Sequence, residues 1–184
     1  GAYSSAEGFG AALGDSATAG YEAVAIGSGA NAKADGTAIG TRAIAGVTGI
    51  ALGVEADGTS GIAIGSRAKT SHLSGADGVA IGTSANAAGS LSIAIGEGAL
   101  SEGLAATALG HLANASAEGA IAFGESKASG FNAIAIGEGA LATADHSVPT
   151  GRGLAARFDE GAARQVSQLL SNCAAFGIIC YGPG

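Results

Sequence analysis

Few residues in this chain are of types and spacings that could carry out chemistry. His72, His111 and His146 lie far apart in the sequence, so they are not expected to converge on one metal ion. The serines show no Gly-x-Ser-x-Gly elbow with partner His and Asp. The stretch from Gly96 to Ser101 resembles part of a dinucleotide-binding fingerprint but lacks its third glycine. The sequence therefore predicts no enzyme, and neither a cofactor site nor a metal site.

Glutamates and cysteines leave two weaker possibilities. Glu97, Glu125 and Glu138 each follow a glycine of a repeated motif, so they could stack into a cation-binding ladder, although a solvated edge is favoured. Cys173 and Cys180 lie close together near the end of the chain and lack the histidines of a zinc site. We expect a disulfide, within one chain or between chains. The alternative is a pair of small buried thiols.

The motif Ala-(Ile/Leu/Phe)-Gly organises most of the chain and occurs ten times. Its glycines, which we number as position zero of each repeat, are Gly14, Gly27, Gly40, Gly53, Gly65, Gly82, Gly96, Gly110, Gly124 and Gly137. The intervals between them run from 12 to 17 residues, which is too short for a pair of helices. They suit one turn of a β-solenoid, built from two short strands joined by two turns.

Side chains alternate along a strand, so the repeat also predicts which positions share a face. The large residues at positions −1 and −3 are expected to fill the solenoid, with the alanine at −2 pointing outward. An outer face of small residues is unusual for a solvated surface, so we expect this column to form an oligomer interface. Its members are Ala25, Ala38, Ala51, Ala63, Ala80, Ala94, Ala108, Ala122 and Ala135. Small residues at +3 and +5 predict a second strand facing a narrow interior.

Charge and insertions restrict the partners. The net charge of −7 argues against nucleic acid, which is bound by clustered Lys and Arg. No run of eighteen apolar residues predicts a transmembrane helix, so direct membrane insertion is not expected. The 17-residue interval between Gly65 and Gly82 predicts an inserted loop. Because solenoids carry binding loops in this way, Ser71, His72 and Leu73 are candidate binding residues.

Three runs of sequence resemble the head repeat of trimeric autotransporter adhesins, the YadA-like head. They are Gly-Ile-Ala-Ile-Gly-Ser-Arg-Ala at 61–68, Ser-Ile-Ala-Ile-Gly-Glu-Gly-Ala at 92–99 and Ala-Ile-Ala-Ile-Gly-Glu-Gly-Ala at 133–140. The resemblance implies an all-β, left-handed parallel β-roll that associates into a homotrimer. It also implies extracellular display and binding of matrix proteins such as collagen, or of cells.

The repeat predicts two regions. Residues 1–151 form the β-roll head of about ten repeats, in which Pro149 and Thr150 make the last repeat degenerate. Residues 152–184 form a C-terminal cap or connector, with a helix at about 159–172 and an apolar strand at about 174–181; they show nothing of the membrane anchor that usually follows such heads. We expect a non-enzymatic adhesin head. The alternative is a structural subunit of an extracellular filament or phage fibre, assembled head-to-tail through the C-terminal segment.

Overall fold

A computed structural model describes residues 1–70 and 77–151 of the chain. The predicted binding loop at Ser71, His72 and Leu73 lies outside the described residues. So do Cys173, Cys180 and the whole C-terminal segment from 152 to 184. All regular elements in the described ranges are β-strands. They form two parallel sheets, and successive strands of the sequence belong alternately to one sheet and the other.

Sheet I contains the odd-numbered strands, and sheet II contains the even-numbered ones. The strands of sheet I are β1 Ser5–Ala6, β3 Thr18–Ala19, β5 Asn31–Ala32, β7 Ile44–Ala45, β9 Asp57–Gly58, β11 Lys69–Thr70, β13 Asn86–Ala87, β15 Leu100–Ser101, β17 Asn114–Ala115, β19 Lys127–Ala128 and β21 Leu141–Ala142. Those of sheet II are β2 Ala11–Leu13, β4 Val24–Ile26, β6 Thr37–Ile39, β8 Ile50–Leu52, β10 Gly61–Ile64, β12 Gly78–Ile81, β14 Ile93–Ile95, β16 Thr107–Leu109, β18 Ile121–Phe123 and β20 Ile134–Ile136.

Successive repeats stack in strict register. Ala25 of β4 lies opposite Ala12 on one side and Ala38 on the other, and the same pairing continues along sheet II. Each repeat therefore makes one turn of a parallel β-solenoid, as the sequence predicts. Neighbouring parallel strands lie about 4.8 Å apart, so the ten strands of sheet II span about 43 Å.

The glycine at position zero is required by close approach of the next turn. Gly14 has φ +141°, and a Cβ built on it would lie 2.4 Å from the carbonyl oxygen of Gly27. The same contact recurs from Gly27 to Gly96, so an alanine has no room at these positions. The last turns are less tight, since a Cβ on Gly124 would lie 3.5 Å from its nearest atom. The structure adds Gly1 and Gly151 to this column, since a Cβ on either would also strike the backbone of the neighbouring turn.

The interior of the roll is lined by the small residues, which corrects the predicted orientation of sheet II. The alanines at −2 from Ala25 to Ala135 are 0% exposed within a single chain, so they cannot form an oligomer interface. The members of that column are Ala25, Ala38, Ala51, Ala63, Ala80, Ala94, Ala108, Ala122 and Ala135. The large residues at −1 and −3 point outward instead, because the space between the sheets holds only small side chains.

Sheet I supplies the other half of this interior. Its alanines at +3 and +5, such as Ala17 and Ala19, are buried, as the sequence predicts, and the residue between them faces outward. Thr70 is the largest fully buried side chain in the described residues, and it lies beside β9, where Gly58 has no side chain. Its hydroxyl donates to the carbonyl oxygen of Asp57 at 3.3 Å.

The last repeats contain two irregularities, of which the sequence predicts the second. The turn after Gly124 is one residue short, so Ser126 takes the interior place of an alanine and its hydroxyl reaches the carbonyl oxygen of Ala135 at 3.1 Å. Near the end, Thr150 forms an isolated parallel bridge with Ile136. Pro149 occupies the position of the interior alanine and has no N–H to donate. The regular ladder therefore ends here.

Candidate interaction surface

The outer face of sheet II is an apolar surface, although the repeat pattern predicts that its large residues lie inside the roll. We call it the apolar face. It consists of the residues at −3 and −1 in ten strands: Ala11, Leu13, Val24, Ile26, Thr37, Ile39, Ile50, Leu52, Ile62, Ile64, Val79, Ile81, Ile93, Ile95, Thr107, Leu109, Ile121, Phe123, Ile134 and Ile136. These side chains are half-buried or exposed in the single chain.

Several side chains of this face keep much of their surface in water. Leu13 is 65% exposed, Phe123 is 54% exposed and Ile39 is 39% exposed. Contiguous apolar patches larger than a few hundred Å² are rare on monomeric soluble proteins and mark interaction sites. Because the strands are in register, the residues at −3 and −1 form two columns along the roll, in which all but Ala11, Thr37 and Thr107 are Val, Ile, Leu or Phe. The geometry suits a long, flat protein–protein contact.

The outer face of sheet I has a different character. Its outward residues lie at +4, or at +3 after the short turn at Gly124. They include the polar and charged side chains of Thr18, Asn31, Lys69, Asn114 and Lys127. Ile44, which is 42% exposed, is one of the apolar residues on this face. This face therefore resembles an ordinary solvated surface, and the two sides of the roll can be distinguished by their composition alone.

The candidate chemical residues do not come together. His111 lies at +1 of its repeat, where its Nδ1 is 3.9 Å from Oε2 of Glu125, and both side chains are well exposed. His146 lies on the opposite turn of the roll, against the ring of Phe131. Among the residues that the structure describes, no group of three His, Cys, Asp or Glu could hold a metal ion. His72 is not among the described residues.

The predicted glutamate ladder is interrupted. Glu97, Glu125 and Glu138 occupy the +1 column, but His111 takes the place between the first two. In earlier turns of the same row, Arg42 and Glu55 form an ion pair between successive turns, with side chains 67% and 39% exposed. These charged residues form a solvated edge.

The 12-residue interval opens a cleft in the wall of the roll. This cleft has a volume of about 620 Å³ and includes Lys33, Val47, Thr59 and Asp77 in its lining. It lies at the repeat between Gly53 and Gly65, whose second turn is one residue shorter than that of a 13-residue repeat. In the described ranges no helix is long and apolar enough to cross a membrane.

The period and composition of these repeats match a known family. Residues 56–72, 74–99, 101–124 and 128–148 match the family model described as the YadA head domain repeat, in two copies. No curated protein matches the chain. The matched residues include the strands of sheet II from β10 to β20.

Proposed function

The chain belongs to the YadA head repeat family, and from this and its apolar face we propose that three copies form the non-enzymatic head of an extracellular adhesin. The head binds matrix proteins such as collagen, or cell surfaces. In this arrangement the apolar faces of the three subunits turn toward a common axis, and sheet I remains in contact with solvent.

The apolar face is the observation that supports assembly. Seven of its side chains remain 37% to 65% exposed in the single chain: Leu13, Ile26, Ile39, Ile95, Ile121, Phe123 and Ile136. Full burial of such a side chain contributes about 1.5–3 kcal/mol, so each has about 1 kcal/mol still to gain. The seven together offer about 7 kcal/mol per subunit, which is comparable to the cost of association of about 4–15 kcal/mol.

The direction of the strands favours a closed ring. All strands of the two sheets are parallel, so one chain has two different ends and its faces run along a single axis. Rotating copies of the chain about that axis places equivalent turns of the subunits side by side. A ring formed in this way closes on itself and leaves no apolar face uncovered. A trimer satisfies this condition and is the assembly of the YadA-like family.

The outward surface then determines adhesion. When the apolar faces are covered, a ligand can contact only the outer face of sheet I and the two rows of turns. This surface is long and repetitive, so a fibrous ligand can contact several turns at once, and weak contacts then add along the rod. Both features suit an extended matrix protein better than a small molecule.

Two matched substitutions test the assembly. Ile39 lies on the apolar face and is 39% exposed, while Ile44 lies on sheet I in the next strand and is 42% exposed. We expect Ile39→Asp to abolish the trimer, because an interface would then bury an unpaired carboxylate at a cost of several kcal/mol. Ile44→Asp should leave the trimer intact. Light scattering of the unmodified protein and both variants measures the mass directly.

Binding to immobilised collagen and other matrix proteins tests the adhesive role. The trimer is expected to bind at least one of them, and Ile39→Asp is expected to lose that avidity. A wild-type chain that remains a monomer at micromolar concentration contradicts the proposed assembly. A trimer that binds neither matrix proteins nor cells contradicts the adhesive role alone.

A further inference from the structure

A small cleft lies on the first repeats, beside β3 and β5 of sheet I and the turns that follow these two strands. Its volume is about 330 Å³, and its lining includes Glu7, Thr18, Tyr21, Asn31, Lys33 and Ala34. It lies on the outer side of sheet I, away from the apolar face, so the proposed trimer leaves it accessible. Its volume is close to the lower end of the range of small-molecule sites, about 300–1,000 Å³. It therefore has room for about one ring of a ligand.

Tyr21 supplies an aromatic side chain that its neighbours hold in place. A Cβ on Gly8 would lie 2.3 Å from Cδ2 of Tyr21, so the absence of a side chain at Gly8 makes room for the ring. Phe9 contacts it edge-on, with ring centroids 6.1 Å apart. The next turn is hydrogen-bonded directly to Tyr21, since the N–H of Asp35 donates to its carbonyl oxygen at 2.9 Å. That turn carries only the methyl group of Ala34 beside the ring, which remains 51% exposed.

Polar groups surround this ring on the side of sheet I. Thr18 and Asn31 are register partners in adjacent strands, so their side chains leave the sheet about 4.8 Å apart. Glu7 and Lys33 lie at the ends of the cleft. In the described part of the chain, none of these four side chains makes a hydrogen bond or an ion pair. A hydroxyl, an amide, a carboxylate and an ammonium group are thus available to a ligand.

We propose that this cleft binds one pyranose ring of a neutral glycan. One face of a pyranose consists of C–H groups, which pack against the negative face of an aromatic ring. Its hydroxyl groups both donate and accept, which matches the amide of Asn31, the carboxylate of Glu7 and the hydroxyl of Thr18. A neutral sugar is favoured over an acidic one because the chain carries a net charge of −7. The proposal names a ligand class for the adhesive surface and so rests on the proposed function.

Saturation-transfer NMR with the methyl glycosides of glucose, galactose, mannose and N-acetylglucosamine tests it. We expect transfer at millimolar concentrations to at least one of them, strongest at its ring C–H protons. Tyr21→Ala should weaken binding about tenfold, whereas Tyr21→Phe should retain it because the ring is kept. Tyr3→Ala is the matched control, since Tyr3 is 91% exposed and lies in the other row of turns. Asn31→Ala should weaken binding without touching the aromatic contact.

The outcomes separate this site from the adhesive role. If none of the four glycosides shows transfer, or if Tyr21→Ala binds as well as the unmodified protein, the glycan site is wrong. Adhesion to matrix proteins by Tyr21→Ala would then still support the adhesin. Conversely, sugar binding by a trimer that adheres to nothing supports the cleft and contradicts the proposed function.

Discussion

Replacing Ala94 by leucine distinguishes the two sides of sheet II. Ala94 is 0% exposed and lies in register between Ala80 and Ala108, which are also 0% exposed. The buried side chains of sheet I near this height, such as Ala99 and Ser101, are equally small. None of these neighbours except the serine has a side-chain rotamer to change. The three extra carbons of leucine can therefore be accommodated only by moving the two sheets apart.

Such a separation is costly. Overpacking a core by added methylene groups typically destabilises a protein by about 1–3 kcal/mol. Because the neighbours of Ala94 cannot rearrange, we expect the destabilisation at this site to lie at or above the upper end of that range. We expect Ala94→Leu to lower the free energy of unfolding by at least about 3 kcal/mol. Ile95→Leu on the adjacent outward position, which is 38% exposed, should cost less than about 1.5 kcal/mol.

Chemical denaturation followed by far-UV circular dichroism measures both changes. Hydrogen exchange adds the location: because a solenoid is stabilised turn by turn, amides in β12, β14 and β16 should lose protection before those in distant turns. An Ala94→Leu variant that unfolds like the unmodified chain and loses only its oligomeric state would refute the inward orientation of the alanine column.

Two further pairs of substitutions probe the turns and the core. Gly96→Ala should destabilise the roll by about 3 kcal/mol or more, because Gly96 has φ +132° and its Cβ would lie 2.3 Å from the carbonyl oxygen of Gly110. Gly29 has φ +67°, and its Cβ would lie 3.5 Å from the nearest atom, so Gly29→Ala should cost less than half as much in the same thermal melt. Ser101→Ala should raise the stability by about 1 kcal/mol, because the buried hydroxyl of Ser101 has no hydrogen-bond partner. Ser92→Ala should lower the stability, because Ser92 Oγ donates to the carbonyl oxygen of Gly89 at 2.7 Å. Equal melting temperatures within either pair would contradict these assignments.

The sequence was sufficient for the period, the parallel stacking and the role of the glycines. These follow from local constraints: a 13-residue interval cannot hold two helices, and a glycine recurring at every turn marks a place without room for Cβ. The roll also includes Gly1 and Gly151, which the motif does not identify because neither is preceded by the Ala-apolar pair. Their place in the stack of turns, next to Gly14 and Gly137, identifies them as members of the glycine column.

The inward side of sheet II could not be read from alternation. A period of two shows that the residues at −1 and −2 point to opposite faces, but it does not say which face is inside. We assigned the large residues to the interior because apolar side chains usually fill a core. The useful signal was in sheet I, where both inward columns, exemplified by Ala17 and Ala19, are also small. Two sheets of small inward residues fit each other at a short separation, and isoleucines would not.

This inversion links folding to assembly. A core of alanine, glycine and serine buries few carbon atoms per residue, so each turn contributes little hydrophobic stabilisation of its own. The larger apolar side chains, such as Ile39 and Phe123, contribute fully only when another chain covers them. For the proposed trimer, we therefore expect the stability of the roll to depend on protein concentration, as it does for obligate oligomers. Dilution should lower the melting temperature of the unmodified protein, whereas a melting temperature independent of concentration would mean that the thin core is sufficient alone.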